Sequence, residues 1–373
     1  MGGGVTEIEE RGLMIISALI NFILYSDKPD LKNPPKRILI VKPDHIGDLI
    51  LAIPAIKTLR LAFPHSNITA LVGEWCLPLT ELIPEIDEAI GYRPGLFARD
   101  RKSGLRGRIR LLARLWHGGF DMAVDLRPTW LSVALAASKR FKWRIDRSSH
   151  RLRMRMRGKT SIWDHEVKRN LEPLKMAGIP MPSHISLSLT IPKHIKDNVD
   201  EMFDKLFTGE TGPIVAFHPG SPVKLKRWAP FNFAELGDKL WEELGARILL
   251  VGSKSDLDIS REIISMMRHK PVDLTGRTDL PTLAGVLERC DLLIGNDSGP
   301  MHIAAALGVR TIGIFGPSSP ERFGPYGERC LAIRAELDCP PCMSERCPFR
   351  AEGCIDEVKV EDVFRAARDF LLH

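Results

Sequence analysis

Apolar residues along this chain fall into short unbroken runs separated by longer stretches with helical spacing. Residues 37–42 (Arg-Ile-Leu-Ile-Val-Lys), 68–72, 122–126, 214–217, 247–251, 272–274, 292–294 and 311–315 are such runs, bounded by Gly, Pro, Asp or Lys. Runs of that kind are the mark of strands buried on both faces of a sheet. Residues 49–63, 111–116, 164–178, 231–244, 258–267, 281–289, 301–307 and 360–372 instead read as helices. Pro54 sits inside the first of these, so the regular helix is expected from Pro54 onward, after a looser turn. Gly178 and Gly308 stand where a helix needs a left-handed closing residue. Strand and helix alternate twice, which predicts two doubly wound parallel sheets. The Pro-punctuated stretch 179–192 separates the two series and marks the domain boundary, and a Pro- and Lys-rich linker at 27–36 precedes the first strand.

Length supports this division, since 373 residues exceed what one core usually holds. With 44% apolar and 27% charged residues the composition is that of an ordinary globular chain. The net charge of +6 is uneven: 99–114 and 139–159 are dense in Arg and Lys, whereas 81–88 is acidic. A basic surface suits an anionic partner, and a solvated basic face would leave the same trace. No nucleic-acid recognition module accompanies these arginines, so nucleic acid is not expected as a partner. The apolar segment 12–25 is shorter than the roughly 20 residues a spanning helix needs. It follows Glu7, Glu9 and Glu10 rather than a basic leader, so an amphipathic helix lying on a domain or a membrane is expected, in a reducing, cytoplasmic setting. Cys339, Cys342, Cys347 and Cys354 crowd one stretch, but their spacing is not that of a regular paired knuckle. Both a structural metal and reduced free thiols remain open there.

Four loops, each after an expected strand, carry candidate chemistry. Gly47-Asp48 places a carboxylate just past a strand end, as a general base or as a helix cap. His218-Pro219-Gly220-Ser221, followed by Lys224, Lys226, Arg227 and Trp228, allows close backbone approach to a ligand and a cation for a diphosphate. Gly252-Ser253-Lys254-Ser255-Asp256 offers an acid to a ribose. Gly295-Asn296-Asp297-Ser298-Gly299-Pro300-Met301-His302 turns a strand into a helix whose first N–H groups suit a phosphate, and Asp297 and Ser298 are good capping residues. An ordinary capped turn would look the same. Neither a Walker loop nor Gly-x-Gly-x-x-Gly follows the first strand, which disfavours P-loop and standard NAD enzymes.

Taken together, Val41-Lys42 with Gly47-Asp48, Pro54 and Leu59, then His165-Glu166-Val167, His218-Pro219-Gly220 with Lys226-Arg227-Trp228, Leu274-Thr275-Gly276 and Asp297-Ser298-Gly299-Pro300-Met301-His302, resemble the heptosyltransferase family of lipopolysaccharide synthesis, glycosyltransferase family 9. The resemblance covers the chain from about Arg37 onward. It implies an α/β, GT-B fold of two Rossmann-like domains facing across a cleft. Residues 1–36 would then be an extension and linker, 37–185 the acceptor domain, 186–357 the nucleotide-sugar domain, and 358–373 a helix returning to the first domain. The implied reaction is metal-independent, inverting transfer of heptose from ADP-heptose to an anionic lipopolysaccharide core acceptor, without a cofactor. Other readings are a relative using another nucleotide sugar, or a catalytically silent nucleotide-sugar-binding protein. Asp48 would be the base, with Gly47 and Arg127 on the acceptor. Gly220, Ser221, Lys226, Asp256, Asp297, Ser298, Gly299 and His302 would bind the donor. Asp256 stands where the family often carries a longer acid. The arginines of 99–110 and 144–157 would meet acceptor or headgroup charge, with the protein peripheral on the inner face of the cytoplasmic membrane.

Overall fold

The computed structural model describes residues 15, 16, 18, 20, 21, 24, 25, 28–93, 105–127, 141–149, 164–209, 211–342, 344, 347 and 353–373. The chain divides into two compact units at residue 186/187.

In the first unit five parallel strands are ordered β3-β2-β1-β4-β5, with β1 at Arg37–Lys42, β2 at Asn67–Gly73, β3 at Glu88–Tyr92, β4 at Met122–Asp125 and β5 at Trp143–Asp146. β1 is central and its Ile38, Leu39 and Ile40 are fully buried, which is why it reads as an unbroken apolar run. β5 lies inside the basic stretch 139–159, where no strand was expected. Its Arg144 is 1% exposed, with its guanidinium 2.6 Å from Asp125 Oδ2 and 3.6 Å from Asp146 Oδ2. Arg147 is likewise buried, against Glu166 and Asn170. These two arginines hold the unit together, and the expectation that they meet acceptor or headgroup charge is corrected: their donors are engaged inside the fold. The remaining arginines between 148 and 157, and those of 99–104, lie outside the described residues. The N-terminal segment is also partly anchored: Ala18 and Asn21 are buried, and Asn21 Oδ1 accepts from Arg144 Nη1 at 3.3 Å.

The second unit repeats the topology. Its parallel sheet runs β11-β10-β9-β6-β7-β8, with β6 at Ile214–His218, β7 at Arg247–Leu250, β8 at Val272–Asp273, β9 at Leu292–Asn296, β10 at Arg310–Phe315 and β11 at Cys330–Arg334. Counted from β6 this is the doubly wound order 3-2-1-4-5-6. A helix not anticipated from the sequence, Lys193–Leu206, precedes it. The terminal helix Val360–Leu372 was expected on the first domain. Instead its buried residues Val363, Phe364 and Ala367 belong to the second unit's core, against the helix Pro230–Leu244. Its apolar stripe is buried there, which stabilises the unit by on the order of 1.5–3 kcal/mol per large side chain.

Both sheets change strand direction of growth at one point, between β1 and β4 in the first unit and between β6 and β9 in the second. In open α/β sheets the crevice outside the strand ends at such a point is where ligands bind. The candidate residues gather at these two places.

Candidate active site

At the end of β1, Pro43 stops the ladder and Asp44 turns inward. The Asp44 carboxylate, 1% exposed, is ion-paired with Lys42 Nζ at 2.8 Å and with Arg127 Nη1 at 3.4 Å. Burial alone would raise Asp44, but the Lys42 and Arg127 charges outweigh it and hold the carboxyl below the ordinary range. Asp48 follows in the first turn of the helix Ile46–Ile50, one residue after Gly47. Burial, then the Asp44 carboxylate, hold Asp48 above the ordinary carboxylate range, with Glu166 adding to the rise and Lys42 and Arg127 opposing it.

Glu166 is itself fixed, by Arg147 Nη2 at 2.5 Å and Arg169 Nε at 3.0 Å. Asn170, on the same helix Glu166–Met176, accepts from Arg147 and donates from Nδ2 to Leu51 O at 3.0 Å. Leu51 is the residue that closes the Asp48 helix, so the charge network also fixes the backbone beneath Asp48. A half-buried carboxylate with a raised proton affinity, held on a rigid turn among paired charges, is equipped to take a proton.

In the second unit, β6 ends at His218 and β9 at Asn296, side by side in register. Asn296 is fully buried. Its Oδ1 accepts from Trp228 N at 3.1 Å and its Nδ2 donates to Pro219 O at 2.7 Å, so one side chain pins both ends of the loop 219–228. Trp228 is buried and its indole donates to Val358 O at 2.9 Å, which anchors the loop a second time. Between these pins the short turn Lys224–Lys226 presents Lys226, whose Nζ lies 2.6 Å from Asp297 Oδ2.

Ser298 occupies the capping position of the helix Gly299–Ala306 but does not cap it. Its hydroxyl donates to Asn296 O at 3.0 Å and shares a 2.9 Å hydrogen bond with His218 Nδ1. With the single hydroxyl hydrogen on Asn296 O, His218 is the donor in that pair. Burial pushes the His218 imidazole down to about 4, so it is neutral at physiological pH. The capping expectation for Ser298 is therefore corrected. Its hydroxyl is drawn back to the strand ends and bonds to none of the first N–H groups of the helix.

Gly220 is required where it stands, because a Cβ there would meet Asp256 Cγ at 2.4 Å. Asp256 is 7% exposed and its Oδ2 accepts from Ser253 N at 2.8 Å and Ser253 Oγ at 2.7 Å. This carboxylate closes a capping box on its own turn through Oδ2. Ser221, 4% exposed, gives its carbonyl to Arg227 Nε at 2.6 Å and shapes the loop rather than opening to solvent. His302 is buried one turn into the helix. The structure thus joins Lys226 to Asp297, His218 to Ser298 and Gly220 to Asp256 in one unit, and Asp48 to Asp44, Lys42 and Arg127 in the other. Asn296, Asp44 and Glu166 were not assigned roles from the sequence. Asn296 sits inside the motif that pointed to its neighbours, and Asp44 lies four residues before the expected base.

Among the described residues no group of three or more His, Cys, Asp or Glu side chains is arranged to hold a metal ion. Cys339, Cys342, Cys347 and Cys354 carry no disulfide. No helix of the described residues is long and apolar enough to cross a membrane.

Two Rossmann-like units, each with a doubly wound parallel sheet, are the architecture of the GT-B fold. Residues 108–352 match the family model for glycosyltransferase family 9 (heptosyltransferase), and the chain belongs to that family. It is 28% identical over 321 residues to lipooligosaccharide heptosyltransferase 2 of Haemophilus ducreyi, covering 80% of this chain and 88% of that one. Among solved structures, the glycosyl transferase family 9 protein of Veillonella parvula matches at 26% identity with a TM-score of 0.77, over 90% of this chain and 97% of the other. The Escherichia coli ADP-heptose lps heptosyltransferase II shares the fold at 24% identity and a TM-score of 0.70, over 90% and 98%.

Proposed function

We propose that this enzyme transfers heptose from ADP-heptose to a sugar hydroxyl of the lipopolysaccharide core, with inversion and without a metal. Asp48 takes the proton of the acceptor hydroxyl as its oxygen attacks the anomeric carbon. The bond from that carbon to the diphosphate breaks, and the electron pair leaves with ADP. Lys226, with three N–H donors, keeps one on Asp297 and has others for the departing phosphate, while the first N–H groups of the helix Gly299–Ala306 meet the remaining oxygens. The observation that carries this reading is Lys226 held 2.6 Å from Asp297 directly before a helix start that its own Ser298 does not cap. Such an arrangement stabilises a leaving diphosphate by itself. Gly47 and Arg127 flank the acceptor hydroxyl, and Arg127 is 29% exposed beside Asp44, where it suits an anionic core sugar.

Contact with the inner face of the cytoplasmic membrane through the N-terminal segment accompanies this reading. Ala18 and Asn21 face the first unit while Ile15, Ile16 and Leu24 are exposed, which supports a peripheral attachment.

A donor screen tests the proposal. Transfer is expected from ADP-heptose, with UDP-sugars inert and a chelator without effect on rate. Turnover confined to another nucleotide sugar would refute the donor. Loss of rate with chelator, restored by added divalent metal, would refute the metal-free mechanism.

A further inference from the structure

Beside the Asp48 loop stands an aromatic pair that the mechanism does not use. β2 ends at Gly73, and the next residues wind into the turn Glu74–Leu82. Trp75 there donates from its indole nitrogen to Asp44 O at 3.1 Å, and Cys76 Sγ donates to the same carbonyl at 3.5 Å. The only polar atom of the indole is thereby tied to the residue that neighbours Asp48. Gly73 permits this approach, because a Cβ at that position would strike Trp75 Cε2 at 2.7 Å and Asp44 O at 2.9 Å. The exposed His45 ring lies 6.2 Å from the indole, inclined by 30°, at the start of the helix that carries Asp48.

Trp75 is neither in the core nor loose on the surface: it is partly exposed, with its orientation set by the hydrogen bond and by the missing Cβ. A fixed indole with an accessible face presents an electron-rich surface with low ordering cost. The face of a pyranose ring, with its C–H bonds polarised by the ring oxygens, is the complementary partner, and the ring's hydroxyls then project sideways. Asp48 stands in the first turn of the helix that His45 begins.

We propose that Trp75, flanked by His45, is the platform on which a sugar ring of the acceptor stacks, bringing its hydroxyl to Asp48. The inference rests on the acceptor being a sugar, as argued above, and assigns Trp75 to binding rather than to proton transfer.

The test compares Trp75→Phe with Trp75→Leu. Both fill the site with apolar volume, and only Phe keeps an aromatic face. The acceptor KM is expected to rise about tenfold in the Leu variant and within about threefold in the Phe variant, with the ADP-heptose KM unchanged in both. Saturation-transfer NMR with a deacylated lipopolysaccharide core oligosaccharide, on Asp48→Asn protein with and without Trp75→Leu, reads ring contact without turnover. Loss of transfer to the sugar C–H protons in the double variant supports the platform. Equal acceptor KM values for Phe and Leu, or unchanged saturation transfer, would overturn it. The NMR arm stands even where the donor assignment fails, because it involves no donor.

Discussion

The two units surround the switch point of one topology with opposite electrostatics. At the switch point of the first, Asp48 sits among buried charges: Asp44 with Lys42 and Arg127, and Glu166 with Arg147 and Arg169. At the corresponding place in the second, the buried groups are mostly neutral. Asn296, His218 and Ser298 bind one another's loops, and one ion pair, Lys226 with Asp297, stands before a helix start. A group that must accept a proton needs its charge disfavoured, which burial and like charge achieve. A group that must receive a departing anion needs fixed donors, which backbone N–H groups and a lysine supply without reorganising. The sheet positions both and dictates neither, so the chemistry is written in the loops.

That contrast can be broken at several points. Lys226→Met removes the cation and leaves Asp297 unpaired, so kcat/KM for ADP-heptose should fall by about 100- to 1000-fold, measured by ADP release. A loss under tenfold would place the leaving-group charge elsewhere.

His218 tests the neutral character of the second site. Its folded value of about 4 lies below the ordinary 6.5, so the unfolded chain binds a proton first as pH falls. Its contribution is present above about pH 6.5 and is lost as pH drops toward 4, by up to about 3 kcal/mol. Chemical denaturation at pH 7.5 and 5 should show about 2 kcal/mol of that loss, and His218→Gln should reduce it.

Asp44→Asn gives the smallest effect and the finest distinction. Removing this like charge lets Lys42 and Arg127 act on Asp48 alone, so the acidic limb of the kcat–pH profile should move to lower pH. The rate at neutral pH should stay within about tenfold. A limb that does not move would mean that Asp44 is not felt by the titrating group.

Much of this organisation is legible in the chain. β1, β6, β9 and β10 are buried on both faces and read as continuous apolar runs, and the site loops follow directly from their ends. β3, β5 and β11 are edge or near-edge strands with polar positions, and their pattern is diluted accordingly. Arg144 and Arg147 read as surface charge because nothing local reveals that Asp125, Asp146 and Glu166 will surround them. The same blindness affects Asn296, whose two partners are 68 and 77 residues away in sequence. Asp256 shows the converse. Its loop is read from the sequence, and so is the serine three residues back that donates to its Oδ2. Motifs locate a site, whereas the partner that each polar atom chooses is decided by packing across the sheet.

The account turns on Asp48 as the base. Single-turnover transfer by Asp48→Asn, with ADP binding measured on the same protein, addresses it most directly. A fall in transfer of about 1000-fold or more with ADP affinity unchanged is the predicted result. Transfer within tenfold of the unaltered enzyme would contradict it.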